Sequence, residues 1–142
     1  MNENTTLVEI FNLAFKNHQA NKIDAAQDLY NQVLEIDPDH LGALNNLGTI
    51  LSNFGENQKA KECYEKVIKI NPNYASGYNS LGVILHRFRE LQNSISYYEK
   101  AIEINPNYSN AYNNLGAVFK ELKKYKKAAS CYEKAIEINP KY

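Results

Sequence analysis

Apolar residues recur along this chain in two alternating phases separated by short polar interruptions. Leu44, Leu47, Gly48 and Leu51 step by three and four residues, the spacing of one face of an α-helix. Gly55 and its polar neighbours break that phase, and a second stripe runs through Ala60, Tyr64, Val67 and Ile68. The segment "INPN" closes it. Proline disfavours a helical backbone at Asn71, and Asn73 is placed to cap the next helix. The pattern predicts a two-helix hairpin over residues 41–74.

The hairpin recurs. Pro38, Pro72, Pro106 and Pro140 are spaced by 34 residues, and aligning on them brings other positions into register. Tyr30, Tyr64, Tyr98 and Tyr132 form one column, and Leu13, Leu47, Leu81 and Leu115 another. Small residues form two more: Ala14, Gly48, Gly82 and Gly116, then Ala26, Ala60, Ser94 and Ala128. The chain therefore reads as a tail over 1–6 and one domain over 7–142, with repeats near 7–40, 41–74, 75–108 and 109–142. Small residues let two helices approach closely, while Tyr and Leu fill the space beside them. One hairpin cannot bury its apolar surface alone, whereas a stack of them can.

Composition narrows the function. Sixteen acidic and sixteen basic residues balance, so no overall basicity points to nucleic acid. The apolar runs are too short to span a bilayer, and the first residues lack a signal-peptide pattern. A cytoplasmic protein without membrane contact is the expectation. Cys63 and Cys131 lie two repeats apart, too far for a disulfide in a stack, and suit packing thiols of a reducing compartment. With no CxxC and three dispersed histidines, neither a metal nor a cofactor site is expected. No catalytic constellation is visible. The second-helix carboxylates read as solvated faces, with Glu62–Lys66 and Glu65–Lys69 pairs at i, i+4.

The 34-residue unit, with Tyr/Leu-x2-Leu-Gly-x2-Leu/Phe, then Ala-x3-Tyr and a closing proline, resembles the tetratricopeptide repeat. The resemblance covers four consecutive copies. The first departs most: Ala14 replaces the glycine, and Asn17 stands where Leu51, Leu85 and Phe119 stand, as suits a terminal repeat. The family implies an all-α, right-handed superhelical solenoid of antiparallel helix pairs whose first helices line a concave groove. It also implies protein or peptide binding rather than catalysis.

By that resemblance the polar faces of the first helices look into the groove. They carry Phe11, Asn12 and Phe15 in the first repeat and Asn45, Asn46 and Thr49 in the second. The third offers Asn79, Ser80 and His86, and the fourth Asn113, Asn114 and Lys120. Asparagine is a poor helix former, so its recurrence in mid-helix asks for a reason. One reading is a row of amides holding an extended peptide through its backbone, since each amide offers both donors and acceptors. That row is similar to the asparagine ladder in the superhelices of O-linked N-acetylglucosamine transferases, with Ser80 a shortened rung and Phe11 and Phe15 an apolar anchor. The other reading is an unspecialised polar face.

Charge is unevenly spread. Residues 1–40 hold seven acids and two bases, whereas residues 109–142 hold seven bases and three acids. Ala129, Tyr132 and Ile136 would present an apolar strip on the last hairpin. Besides a peptide-binding module, two alternatives stay open: the substrate-recruiting part of a larger enzyme such as a glycosyltransferase, and a homo-oligomer assembling head to tail.

Overall fold

The computed structural model describes the backbone of residues 3–142 and side chains from Thr6 onward. Within it the chain forms eight α-helices: α1 (Glu3–Gln19), α2 (Ile23–Ile36), α3 (Leu41–Asn53), α4 (Asn57–Ile70), α5 (Ala75–Arg87), α6 (Leu91–Ile104), α7 (Ser109–Glu121) and α8 (Tyr125–Ile138). Helix α1 starts inside the segment set aside above as a tail. The helices divide into two compact units, Met1–Ile70 and Asn71–Tyr142. In the first, α1 packs on α2, α2 on α3 and α3 on α4. In the second, α5 packs on α6, α6 on α7 and α7 on α8, and α5 also touches α7.

Each hairpin turn ends its first helix in the same way. The N–H groups of Lys22, Glu56, Glu90 and Lys124 reach back to the carbonyls of Asn17, Leu51, Leu85 and Phe119, at 2.8 to 2.9 Å. The preceding residue takes a left-handed backbone: Asn21 (φ 59°), Gly55 (77°), Arg89 (65°) and Lys123 (59°). This closure satisfies carbonyls that the helix end would otherwise orphan. Glycine takes that conformation without strain, and one of the four turns has it.

Between hairpins the Asx-Pro dipeptides act differently from the expectation. The side-chain oxygens of Asp37, Asn71, Asn105 and Asn139 accept from the N–H two residues on, at 3.1 to 3.3 Å. Asn73 therefore donates its own N–H to the turn and does not cap α5, whose N-cap is Tyr74 without a side-chain bond. Helix α3 does have a side-chain cap, His40 Nδ1 accepting from the Ala43 N–H at 3.1 Å.

The small-residue and tyrosine columns explain each other. Tyr30, Tyr64 and Tyr98 are buried, and a Cβ on Gly48 or Gly82 would lie 2.8 Å from the Tyr64 ring or 2.6 Å from the Tyr98 ring. At those two positions the ring stands directly against the neighbouring helix backbone, where a Cβ would force it to shift, while the first repeat carries Ala14 beside its buried Tyr30. The leucine column holds in three repeats: Leu47, Leu81 and Leu115 are buried, but Leu13 is 51% exposed. Leu115 shows why, because it clusters with Ile95 and Tyr98 of the preceding hairpin. No helix among the described residues precedes α1. The expected surface pairs also differ. Glu65 bonds Lys61 at 2.9 Å, while Lys66 donates to the Pro38 carbonyl at 2.6 Å and pairs with Asp39 at 3.1 Å.

Candidate functional site

Asparagine-bearing faces on the first helices of both units form the candidate site, each unit with its own stretch. In the first unit Tyr30 sets the geometry. Its ring is fully buried, yet its hydroxyl needs a partner. Asn46 supplies one, its Nδ2 donating to Tyr30 Oη at 3.1 Å, and His18 Nδ1 stands 3.4 Å away on the other side. Burial pushes the Tyr30 phenol above its ordinary value, and the Asn46 bond opposes that. Thr49 has a comparable role: it donates to the Asn45 carbonyl at 3.1 Å, and Tyr64 Oη lies 3.2 Å away. Since Thr49 has a single hydroxyl hydrogen, Tyr64 is the donor of the second bond.

Asn45 is different. Its side-chain oxygen is buried without a hydrogen-bond partner, a state that costs about 1–3 kcal/mol for a buried acceptor. Asn12 is exposed. Phe11 is half-buried and packs structurally, its ring 4.6 Å from the His40 ring and against Gly42, where a Cβ would lie 2.7 Å away. Phe15 is 44% exposed, and Val8, two helical turns before it, is 55% exposed. Together they extend an apolar stripe along α1. The sequence reading missed Val8, although its i, i+7 spacing from Phe15 was the available signal.

In the second unit the asparagines bond each other. Asn114 Nδ2 donates to Asn79 Oδ1 at 3.1 Å, linking α7 to α5, and Asn79 is buried. Ser80 and Asn113 are half-buried beside them, and Lys120 is exposed. His86 Nε2 donates to Glu121 Oε2 at 2.7 Å, and Arg89 binds the other oxygen of the same carboxylate. Those two bonds, Arg89 first, hold the Glu121 carboxyl below its usual range. His86 is thus tied to an ion pair that joins α5 to α7. Arg89 did not stand among the expected groove residues, because nothing local in the sequence pairs it with a carboxylate 32 residues on.

Two clefts lie between the helices of single hairpins rather than on the asparagine faces. Tyr78, Ser96, Tyr97 and Lys100 line one of about 280 Å³, and Tyr112, Ser130, Cys131 and Lys134 are among those lining another of about 360 Å³. Cys63 and Cys131 are free, and burial pushes both thiols above their ordinary value, which leaves them poor nucleophiles. Among the described residues no cluster of three or more His, Cys, Asp or Glu could hold a metal ion. No helix there is long and apolar enough to cross a membrane.

Such a file of 34-residue helical hairpins defines a class of binding solenoid, and direct comparison gives the family. Tetratricopeptide repeat models match residues 11–40, 42–74, 63–95 and 109–142, and a further TPR repeat model matches 90–123. The chain belongs to the tetratricopeptide repeat family. A crystal structure of MamA is 31% identical to it, with a TM-score of 0.78 over 89% of this chain and 74% of that one. MamA from Desulfovibrio magneticus RS-1 is 21% identical, with a TM-score of 0.83 over 95% of this chain and 76% of that one. Pseudomonas aeruginosa PilF is 22% identical, with a TM-score of 0.85 over 99% of this chain and 64% of that one. The last two show the shared fold. No curated protein sequence matches the chain.

Proposed function

We propose that this tetratricopeptide-repeat protein is an interaction module that holds extended peptide by its backbone, each unit offering its own asparagine face. The observation that carries this reading is the state of the ladder amides. Asn46 and Asn114 are half-buried and pinned, one to Tyr30 and the other to Asn79. Each bond uses one N–H of the amide and leaves its Oδ1 and second N–H, the pair that can meet the N–H and C=O of a peptide unit. An amide held in place by its neighbour loses less freedom when a ligand arrives, which favours binding. Val8 and Phe15 offer an exposed apolar stripe for one large side chain of the ligand. The module needs no catalytic group or cofactor for this task.

The test uses peptides selected from a random display library against the 142-residue chain. Replacing single peptide N–H groups by N–CH3 should abolish binding at some positions, whereas alanine substitution along the peptide should matter little outside the apolar anchor. Asn46→Ala and Asn114→Ala should each weaken binding about tenfold, the effect of one lost hydrogen-bonded pair. Tyr30→Phe, which keeps the amide and removes its pin, should weaken it less. Selected peptides that tolerate every N-methylation and bind both alanine variants as tightly as the parent would refute backbone gripping.

A further inference from the structure

The strip on α8 has a counterpart that shows what it is shaped to receive. One repeat earlier, Leu91, Ile95, Tyr98 and Ile102 of α6 gather around Leu115 and Phe119 of α7 and Leu122 just after it. Moving 34 residues on, the same register positions of α8 are Tyr125, Ala129, Tyr132 and Ile136. Tyr125 is 63% exposed and Ile136 49%, while Ala129 is exposed and Tyr132 half-buried. The helix that covers such a strip presents the residue in the Leu115 column. Of the four members of that column, Leu13 on α1 is the exposed one.

We propose that α8 of one chain receives α1 of a second copy, in the register in which α6 receives α7, so that copies associate head to tail. This inference is independent of the peptide reading. Charge complementarity supports the choice of a second copy. Residues 109–142 carry four more bases than acids and residues 1–40 five more acids than bases, so the abutting repeats attract. Lys123, Lys124, Lys126 and Lys127 are all exposed, and Glu121, the acid nearest them in sequence, is bound to Arg89 and His86. The hydrogen-bond register continues as well. Asn114 of α7 donates to Asn79 of α5, and one repeat on the equivalent pair is Asn12 of the incoming copy with Asn113. The fit is poorer than the internal one, because Lys16 and Asn17 stand where Val118 and Phe119 are buried. Association should therefore depend on concentration and weaken with salt, which screens exposed charges. A heterologous contact of this kind does not saturate at two copies.

Sedimentation of the 142-residue chain over a wide concentration range tests this with two variants, Leu13→Glu on α1 and Ile136→Glu on α8. Both residues are about half exposed, and far-ultraviolet circular dichroism checks that both variants fold. The parent should form species growing beyond a dimer, and each variant alone should sediment at the 16.2 kDa of one chain. Mixed together, the variants should form a species of twice that mass and nothing larger, since one supplies an intact α8 strip and the other an intact α1. Reversing the four lysines 123, 124, 126 and 127 to glutamate should also shift the parent toward monomer without touching either apolar face. A parent that stays monomeric throughout overturns the proposal, as does an assembly that survives Leu13→Glu. The latter result, with loss only in Ile136→Glu, would instead mean a symmetric α8–α8 contact.

Discussion

Replacing Asn46 by alanine should destabilise this protein, even though alanine is the better helix former at a mid-helix position. The magnitude follows from Tyr30. Its hydroxyl is fully buried with the ring, and without Asn46 it retains only the 3.4 Å contact to His18. A buried hydroxyl left that poorly satisfied costs about 1–2 kcal/mol. Against this, the helix gains about 0.6 kcal/mol from exchanging asparagine for alanine. The net expectation is a loss of about 0.5–1.5 kcal/mol. In a Tyr30→Phe background the hydroxyl is gone, so the same Asn46→Ala change should stabilise by about 0.6 kcal/mol. The sign of one substitution thus inverts with the identity of a residue 16 positions away. Urea denaturation of the four proteins in this double-mutant cycle, followed by circular dichroism, gives the coupling directly, and it should be about 1–2 kcal/mol with little change in the denaturant slope. Asn46→Ala stabilising both backgrounds equally would refute the reasoning, and would mean that Tyr30 is satisfied without its asparagine.

Two further substitutions probe the fold. Gly82→Ala should destabilise by about 1–2 kcal/mol despite a better helix propensity, because its Cβ would lie 2.6 Å from the buried Tyr98 ring. Gly116→Ala, whose Cβ would meet the half-buried Tyr132 at 2.9 Å, should cost less, and equal losses in thermal unfolding would count against packing as the cause. Lys123→Gly should stabilise by about 0.5–1 kcal/mol by removing a side chain from a left-handed backbone at φ 59°. An unchanged or lower melting temperature would show that the turn carries no such strain.

The hairpins were legible because each rests on short-range rules repeated four times. Helical spacing of Leu44, Leu47 and Leu51, the Asx-Pro breaks and the tyrosine column all recur at 34 residues, so an accident in one copy is overruled by the others. Where the reading failed, a neighbour outside the local window decided. Asn73 had the composition of a cap, but it sits inside the Asx turn begun by Asn71, and α5 starts one residue later with Tyr74 at its N-cap. Leu13 belongs to a core column, yet it stays exposed because burying that column takes a helix on its far side, as α6 provides for Leu115. For Phe11, expected as a ligand anchor, the structure adds a packing role, its half-buried ring lying against His40 and Gly42 while Val8 and Phe15 are the more exposed residues of α1.

The mid-helix asparagines mark the division most sharply. The sequence by itself determined that they recur, that they share a helix face, and that local propensity opposes them there, since these are properties of spacing and residue type. Only the tertiary structure decided what they do inside the protein. Asn46 satisfies Tyr30 across 16 residues of chain, and Asn114 meets Asn79 across 35. Hydrogen bonding needs donor and acceptor within about 3 Å. No pattern along one helix specifies which residue of another helix will come that close until the helices are packed.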